Sequence, residues 1–329
     1  MKKTVSGRVL GFVGKYPIYF VLLIMVIVMS ILSDVFFTPV NITNILVSEA
    51  GRGVLALAVG LVIITGGMDL SIASIAACAS VIATSLVQKA DYAQKLYPSI
   101  PCLSAWVALL AGLGVGFLIG AFNGAVVTFC RVPPFIATLG GTTIATGIAL
   151  TYTKAHTVPM VSDEFRKIGQ LTVGPVPIIV LYFVALAIVA WVLLNKTRFG
   201  KRLYAIGGNV NAATVAGVNV KLNTWLVYVW SGVLSAFVGV FLAARSGAGN
   251  PSMADGYELD AIAAVVVGGV STTGGVGTIS GIIVGVLLLG VLNNGFLLLG
   301  VSPYLQQIIK GFIIVGAVAF DTMRSSKRG

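Results

Sequence analysis

Long apolar stretches recur along the whole chain, separated by short segments rich in glycine, proline and charged residues. A helix that spans a bilayer needs about 20 mostly apolar residues, and the pattern predicts about ten such helices. The predicted spans are residues 16–33, 53–67, 71–88, 104–130, 134–152, 176–194, 224–244, 261–275, 278–298 and 305–321. Segment 34–52 is too polar to span and too apolar for a plain loop, so we expect it to lie at the membrane interface.

The composition indicates the same fold class. Of the 329 residues, 57% are hydrophobic and 9% are charged, whereas a soluble domain carries about 25% charged residues. We therefore predict an all-α, polytopic membrane protein that forms a single transmembrane domain over residues 1–329. Neither a soluble enzyme nor a nucleic-acid-binding protein fits this composition, because the net charge of +11 is not gathered on a contiguous basic face.

The charged residues predict the orientation of the chain. With a cytoplasmic N-terminus, most Lys and Arg residues outside the spans fall on the cytoplasmic side, as the positive-inside rule requires. Both termini are then cytoplasmic, Glu49, Arg52 and Asp260 belong to the outer surface, and Lys310 lies within the last span. A cleaved signal peptide is the alternative for the first apolar run, but the run is long and no small-residue cleavage site follows it.

Two stretches about 170 residues apart share a pattern of Gly, Asn and Pro. Residues 120–124 and 132–135 match residues 290–295 and 301–304. The two stretches lie five spans apart, so they cross the membrane in opposite directions, which predicts inverted five-helix repeats over roughly residues 1–160 and 170–329. The alternative is a chance recurrence of these residue types in glycine-rich membrane helices.

Two glycine-rich segments, 65–71 and 268–277, predict breaks in the helices. Irregular backbone at membrane depth is tolerated only where protein buries it or water fills a cavity. The break residues are expected to be packed or to line a pore; they are Gly66, Gly67, Asp69, Gly268 and Gly269. Asp69 is expected to cap the next helix at the cytoplasmic side, with ion coupling as the alternative.

Few residues suit catalysis, metal binding or ion coupling. No catalytic residue is predicted, because the chain has no metalloprotease motif and no recognisable nucleophile arrangement. No metal site or disulfide framework is predicted, because Cys78, Cys102 and Cys130 lie far apart. Segment 11–15 lacks the spacing and the hydroxyl residue of a phosphate-binding loop. With so few ionisable groups in its spans, the chain is expected to take its energy from a partner.

The largest cytoplasmic loop, residues 195–223, contains a candidate docking element. Its basic start is typical of an anchor at the cytoplasmic membrane surface. A turn at 207–209 and a short helix of small residues at 211–217 are predicted to follow, ending at a C-terminal glycine. A ridge of small residues fits a partner's groove, although a generic surface helix is the alternative. The proposed coupling residues are Gly207, Gly208, Asn209, Asn211, Ala212, Ala213, Ala216 and Gly217.

Segments 195–201, 205–209 and 212–220 of this loop resemble the cytoplasmic loop of permease subunits from bacterial ABC monosaccharide importers of the ribose and galactose group. The resemblance extends over nearly the whole chain, through segments 41–46, 65–71, 134–139, 256–263, 267–269 and 293–295. Many ABC importer permeases have Glu where this chain has Asn211. This departure casts doubt on an acidic contact to the ATPase and leaves the helix intact.

The resemblance implies a homodimer in the bacterial cytoplasmic (inner) membrane, surrounded by lipid. It also implies cytoplasmic ATPase subunits, which bind ATP and Mg²⁺, and a periplasmic or surface sugar-binding protein. The chain itself would need no cofactor and would not be an enzyme. Glu258 is the candidate contact to the binding protein, whereas Asp260 is expected to favour the N-terminus of the helix that follows.

A sugar needs a polar, uncharged path through the membrane. The candidate lining residues are Asn123, Thr142, Thr143, Asn293 and Asn294, with hydrogen bonds between helices as their alternative role. Segments 88–98 and 195–201 look closer to galactose or methyl-galactoside permeases than to ribose permeases. The alternatives are a ribose permease, a stand-alone secondary sugar carrier or channel, and a membrane enzyme acting on lipid.

Overall fold

The computed structural model describes residues 17–326, which form thirteen helices and one small hairpin. The elements are α1 Pro17–Leu32, α2 Pro39–Ile64, α3 Ile72–Leu86, α4 Ala105–Thr128, α5 Pro134–Thr153, α6 Asp163–Gln170, β1 Thr172–Val173, β2 Val176–Pro177, α7 Ile178–Lys196, α8 Arg198–Gly208, α9 Val210–Val215, α10 Val220–Ser246, α11 Tyr257–Val267, α12 Ile279–Leu298 and α13 Pro303–Ser326. The predictions for segment 11–15 and for the chain termini concern residues 1–16 and 327–329, which lie outside the described residues.

The predicted fold class is confirmed: the chain is an all-helical, polytopic membrane protein. Within residues 17–326, six helices are long and apolar enough to cross a membrane, namely α2, α4, α5, α7, α10 and α12. Shorter apolar segments lie in α1, α3 and α13. The orientation in the membrane and the inverted relation of the two halves stay predictions.

Helix α2 begins earlier than the sequence predicts. It runs unbroken for 26 residues from Pro39, so the predicted interfacial segment is mostly the first half of a spanning helix. The Thr38 hydroxyl caps it by accepting the Asn41 N–H at 3.3 Å, and proline suits the first helical position. Glu49 and Arg52, which lower the hydropathy here, neutralise each other in an ion pair of 2.6 Å.

Helix α11 is shorter than the predicted span 261–275. Its 11 residues extend about 16 Å, only about half of a hydrocarbon core of about 30 Å. The chain leaves the helix at Gly268, and Gly269 has a left-handed φ of 85°. Residues 268–278 are non-helical, so this span is in fact a half-helix followed by a loop.

Helices α2 and α10 form the centre of the fold. Helix α10 packs against α3 and α4, whereas α2 packs against α11 and α12. Gly120 of α4 and Gly232 of α10 approach so closely that a Cβ on Gly120 would lie 3.1 Å from the Gly232 Cα. Each predicted half thus packs one central helix against the other half.

The loop between α5 and α7 is partly ordered into α6 and the hairpin. The Ser162 hydroxyl caps α6 by accepting the Phe165 N–H at 3.3 Å. Lys89 and Asp163 form an exposed ion pair of 3.0 Å between this loop and the one after α3. The hydrogen bond and the positive charge of Lys89 lower the pKa of the Asp163 carboxyl.

Candidate coupling site and translocation path

The predicted cytoplasmic loop folds into the two short helices α8 and α9. The Asn209 side chain caps α9 by accepting the Ala212 N–H at 2.9 Å. Gly217 follows the helix with a φ of 80°, and the Val218 N–H bonds to the Ala213 carbonyl at 3.0 Å. This is the Schellman arrangement that ends many helices. The structure places a helix and its terminal glycine where the sequence predicts them, whereas α8 was not expected.

The exposed surface of α9 differs from the expected ridge at one position. Asn211, Ala212 and Ala216 are exposed, but Ala213 is only 3% exposed and packs within the chain. Its side chain is therefore not available to a partner. Val215, by contrast, is 90% exposed. Sequence analysis overlooked this valine because a single apolar residue in a small-residue helix carries no pattern.

The C-terminal end of α8 contacts both predicted helix breaks. A Cβ on Gly207 would overlap the Ile64 carbonyl oxygen, at the end of α2, and the Gly275 nitrogen. The Gly275 N–H donates to that same carbonyl at 2.9 Å, and the Tyr204 hydroxyl donates to the Gly277 carbonyl at 2.8 Å. Burial raises the pKa of the Tyr204 hydroxyl. We call these five residues the coupling junction.

The remaining break glycines have distinct local roles. Gly66 adopts a φ of 79° just after α2, a conformation that glycine reaches without steric cost. A Cβ on Gly67 would lie 2.9 Å from the Tyr228 hydroxyl oxygen, and one on Gly268 would lie 2.9 Å from the Ala264 carbonyl oxygen. Gly208, which is a predicted coupling residue and not a break residue, has no atom within 4 Å of its Cβ position.

Asp69 is fully buried beside the first break. Its carboxylate accepts hydrogen bonds from the Ser71 N–H at 3.0 Å, the Ser71 hydroxyl at 2.6 Å and the Ser231 hydroxyl of α10 at 2.6 Å. Asn123 of α4 donates to the Ser71 hydroxyl at 2.8 Å. Asp69 therefore holds the residue before α3 and links it to α4 and α10. It does not cap α3 as expected, because its only backbone donor among the described residues is Ser71, which precedes the helix.

The path candidates on α4 and α5 lie in different environments. Asn123 is fully buried, and a Cβ on Gly141 would overlap its amide oxygen. The hydroxyls of Thr142 and Thr143 donate to carbonyls four residues earlier, at 2.9 and 3.1 Å. Thr143 alone of these three candidates is exposed.

The two candidates on α12 differ in their hydrogen bonds. Asn294 and Asn41 exchange two side-chain hydrogen bonds of 2.8 and 2.9 Å. The amide oxygen of Asn293 is buried and has no hydrogen-bond partner among the described residues. Both asparagines are partly buried, and the hydrogen bonds between Asn41 and Asn294 connect α2 to α12.

Four charged side chains meet between α2, α11 and α13. Asp260 lies between Arg52, with an Nε–Oδ2 distance of 3.1 Å, and Lys310, with an Nζ–Oδ1 distance of 3.2 Å. Glu49 pairs with Arg52, whose guanidinium lies 4.6 Å from the Tyr257 ring centroid. We call Glu49, Arg52, Asp260 and Lys310 the charge cluster; two acids and two bases make it neutral.

The charge cluster corrects the expectation that Glu49, Arg52 and Asp260 lie on the outer surface. Their side chains are only 5%, 21% and 14% exposed. Arg52 stands 12 residues before the end of α2, about 18 Å along the helix, which places the cluster deep within the spanning region. Hydropathy treats each charge singly, so it cannot anticipate a mutually neutralised set.

Glu258 and Asp260 occupy the first turn of α11, where carboxylates are favoured by the helix dipole. Asp260 has the additional role of an ion-pair partner. Glu258 is half-buried and one of its carboxylate oxygens, Oε2, has no hydrogen-bond partner among the described residues.

The fold and these sites define a class: a multi-pass membrane permease whose helix α8 contacts the breaks in its transmembrane helices. The chain belongs to the family described as branched-chain amino acid transport system / permease component, whose sequence profile matches residues 41–318. Like its relatives, it is a transport subunit and not an enzyme, and it resides in the bacterial cytoplasmic membrane.

Three curated relatives carry names of sugar permeases. The chain is 41% identical to the galactose/methyl galactoside import permease protein MglC of Escherichia coli K12, over 94% of this chain and 95% of the relative. It is 37% identical to the ribose import permease protein RbsC of Bacillus subtilis 168, over 96% and 95%. It is 34% identical to the D-allose transport system permease protein AlsC of Escherichia coli K12, over 95% and 93%. No solved structure matches the chain significantly.

Proposed function

We propose that this chain is the membrane subunit of an ATP-driven, binding-protein-dependent monosaccharide importer whose cargo is galactose or methyl galactoside. The observation that carries the cargo assignment is the 41% identity to a galactose/methyl galactoside permease over 94% of the chain. The ribose and allose permeases match at 37% and 34%, so ribose is the second choice. A binding protein outside the membrane selects the sugar and delivers it.

In this proposal a separate ATPase binds ATP and Mg²⁺ and docks on α9. Val215 supplies an apolar contact at the tip of the helix, and the exposed Ala212 and Ala216 leave room for a groove. The Asn209 N–H donates to the Ala205 carbonyl at 3.0 Å, which joins α9 directly to α8. Force applied at α9 therefore reaches the coupling junction through a continuous, hydrogen-bonded backbone.

The sugar path in this proposal runs between two copies of the chain. The apolar side chains of α2 between residues 54 and 64 are at most 1% exposed, so the centre of one copy is solid. Helices α5 and α13 instead expose Thr143 and Gln307. Gly140, Gly147 and Gly311 on the same helices have no atom within 4 Å of their Cβ positions, which leaves space for a second copy. Sequence analysis did not single out Gln307, because one glutamine among apolar residues is a weak signal.

A stand-alone secondary carrier is the second candidate, favoured by one observation. Asp69 is a fully buried carboxylate whose hydrogen bonds, within residues 17–326, come from two serines and not from a cation. A carrier could bind a proton or a sodium ion there. In the importer, Asp69 only fixes the break between α2 and α3.

Uptake of radiolabelled sugars tests the proposed cargo. The chain is expressed with its cognate ATPase and binding protein in cells that lack other galactose and ribose transport. We expect uptake of galactose or methyl galactoside that unlabelled ribose does not inhibit. Uptake of ribose without galactose would contradict the cargo assignment. A cognate ATPase unable to hydrolyse ATP is the matched control and is expected to abolish uptake.

A further inference from the structure

Helix α11 connects two sites that lie apart in the fold. Its first turn carries Asp260, the residue shared by two of the three ion pairs of the charge cluster. Its other end leads into the loop that holds Gly275 and Gly277 of the coupling junction. Any displacement of that junction therefore acts on one end of α11, while the charge cluster holds the other end.

Glycines with left-handed φ values flank α11 at both ends. Gly256, before the helix, has a φ of 83°, and Gly269, after it, has a φ of 85°, values that glycine adopts without the steric cost of a side chain. Between them lies a rigid segment of 11 residues. Two glycines of α12 approach this part of the chain closely. A Cβ on Gly285 would overlap the Ala264 carbonyl oxygen, and one on Gly281 would overlap the Gly268 carbonyl oxygen.

Helix α13 packs against α11, and one ion pair joins the two helices. Lys310 Nζ lies 3.2 and 3.3 Å from the two carboxylate oxygens of Asp260. The opposite face of α13 is largely exposed, with Tyr304 at 80% and Phe312 at 75%. Lys310 is therefore the polar connection through which α11 can hold or move the helix that carries Gln307.

We propose that α11 is a lever that transmits movement of the coupling junction to α13, and that Lys310 is a positioning residue that acts through Asp260. Displacement of α8 moves the loop after α11, α11 rotates about Gly256 and Gly269, and the ion pair carries α13 with it. This proposal rests on the proposed function, because it requires an external ATPase to move α8. It requires no contact between Lys310 and the sugar.

A double variant, Lys310→Met with Asp260→Asn, removes the link and keeps the charge balance. Glu49 and Arg52 remain as a neutral pair, so no uncompensated charge is left behind in the membrane. Lys89→Met with Asp163→Asn is the matched control, because it deletes an exposed ion pair far from α11. Lys310→Arg is the conservative variant that keeps the pair.

Two measurements on the reconstituted complex test whether the Lys310–Asp260 ion pair couples α11 to α13. The first is the number of sugar molecules imported per ATP hydrolysed, together with basal ATPase activity. The second is the labelling rate of Gln307→Cys by a water-soluble maleimide, with and without trapped ATP, after the exposed Cys102 and Cys130 are replaced by Ser. We expect the double variant to import at least about five-fold less sugar per ATP, to keep basal ATPase activity and to lose the ATP-dependent change in labelling. The control variant should match wild type in sugar imported per ATP, in basal ATPase activity and in the ATP-dependent change in labelling.

Unchanged sugar import per ATP, or an unchanged ATP-dependent labelling difference, in the double variant would overturn the proposal. Equal loss of basal ATPase activity and transport would also overturn it, because that outcome indicates a purely structural ion pair. If the double variant does not assemble, Lys310→Arg decides: wild-type coupling supports the lever, and lost coupling in an assembled complex contradicts it. Sugar transport by the wild-type chain without any ATPase would refute the proposed function instead.

Discussion

The contact between Gly207 and the end of α2 gives the sharpest test of the coupling junction. In Gly207→Ala, the added methyl group would overlap the Ile64 carbonyl oxygen and the Gly275 nitrogen. Both are backbone atoms, so neither can turn aside as a flexible side chain would. The junction must open, and the 2.9 Å hydrogen bond between Gly275 and Ile64 must lengthen or break.

The cost of this change follows from three contributions. Overpacking costs about 1–3 kcal/mol, and a lost backbone hydrogen bond costs about 0.5–1.5 kcal/mol. The higher helix propensity of alanine returns up to about 1 kcal/mol. The net loss is about 2 kcal/mol, which corresponds to a factor of about 30 in an equilibrium that depends on the closed junction.

Gly208→Ala is the matched control for this prediction. It makes the same chemical change one residue later, where no atom lies within 4 Å of the Cβ position. The assay is ATPase activity of the reconstituted complex with and without sugar-loaded binding protein, alongside the thermal unfolding midpoint of the chain. We expect Gly207→Ala to reduce the stimulated activity by about tenfold or more and Gly208→Ala to leave it unchanged. Equal stimulation in the two variants would refute the role of this contact.

Three further substitutions probe α9 and the α2–α12 contact. Gly217→Ala should destabilise the end of α9 by about 1–2 kcal/mol, because a side chain at a φ of 80° is strained even where space is open. A pull-down should then show weaker ATPase binding, and unchanged binding would contradict the prediction. Val215→Asp should weaken ATPase binding by at least about tenfold without changing the unfolding midpoint, because Val215 is 90% exposed. Val215→Ala should have a smaller effect. Equal ATPase affinity in the wild type and both Val215 variants would show that α9 is not part of the interface. Asn294→Leu should lower the free energy of unfolding by about 1–3 kcal/mol, because the Asn41 side-chain oxygen loses its hydrogen-bond donor. A double-mutant cycle with Asn41→Leu checks this, and strict additivity would contradict it.

Much of the fold follows from hydropathy, and its two failures have physical causes. The first half of α2 was predicted to be interfacial because segment 34–52 is too polar to span and too apolar for a plain loop. In the structure the helix runs unbroken from Pro39, and Glu49 and Arg52 within it form an ion pair. The predicted span at 261–275 failed for the opposite reason: the sequence stays apolar past Val267, whereas glycines with left-handed φ values end the helix. Average hydropathy does not register a break made by glycine conformation.

The candidate site was predictable where it depends on local sequence. Asn209 and Gly217 carry capping signals that depend on a few neighbouring residues, and both lie at the ends of α9. The burial of Ala213 depends on which face of a six-residue helix meets the protein, which the sequence pattern does not determine. The charge cluster joins residues from α2, α11 and α13, so only the three-dimensional packing brings Arg52, Asp260 and Lys310 together.

Sugar uptake into proteoliposomes tests the central claim most directly. The chain is reconstituted alone, and also with its cognate ATPase and sugar-binding protein, and uptake of labelled galactose and methyl galactoside is measured with and without ATP. The account predicts uptake only when the ATPase, the binding protein and ATP are all present. Sugar movement through the chain alone, either down its gradient or driven by a proton or sodium gradient, would contradict it.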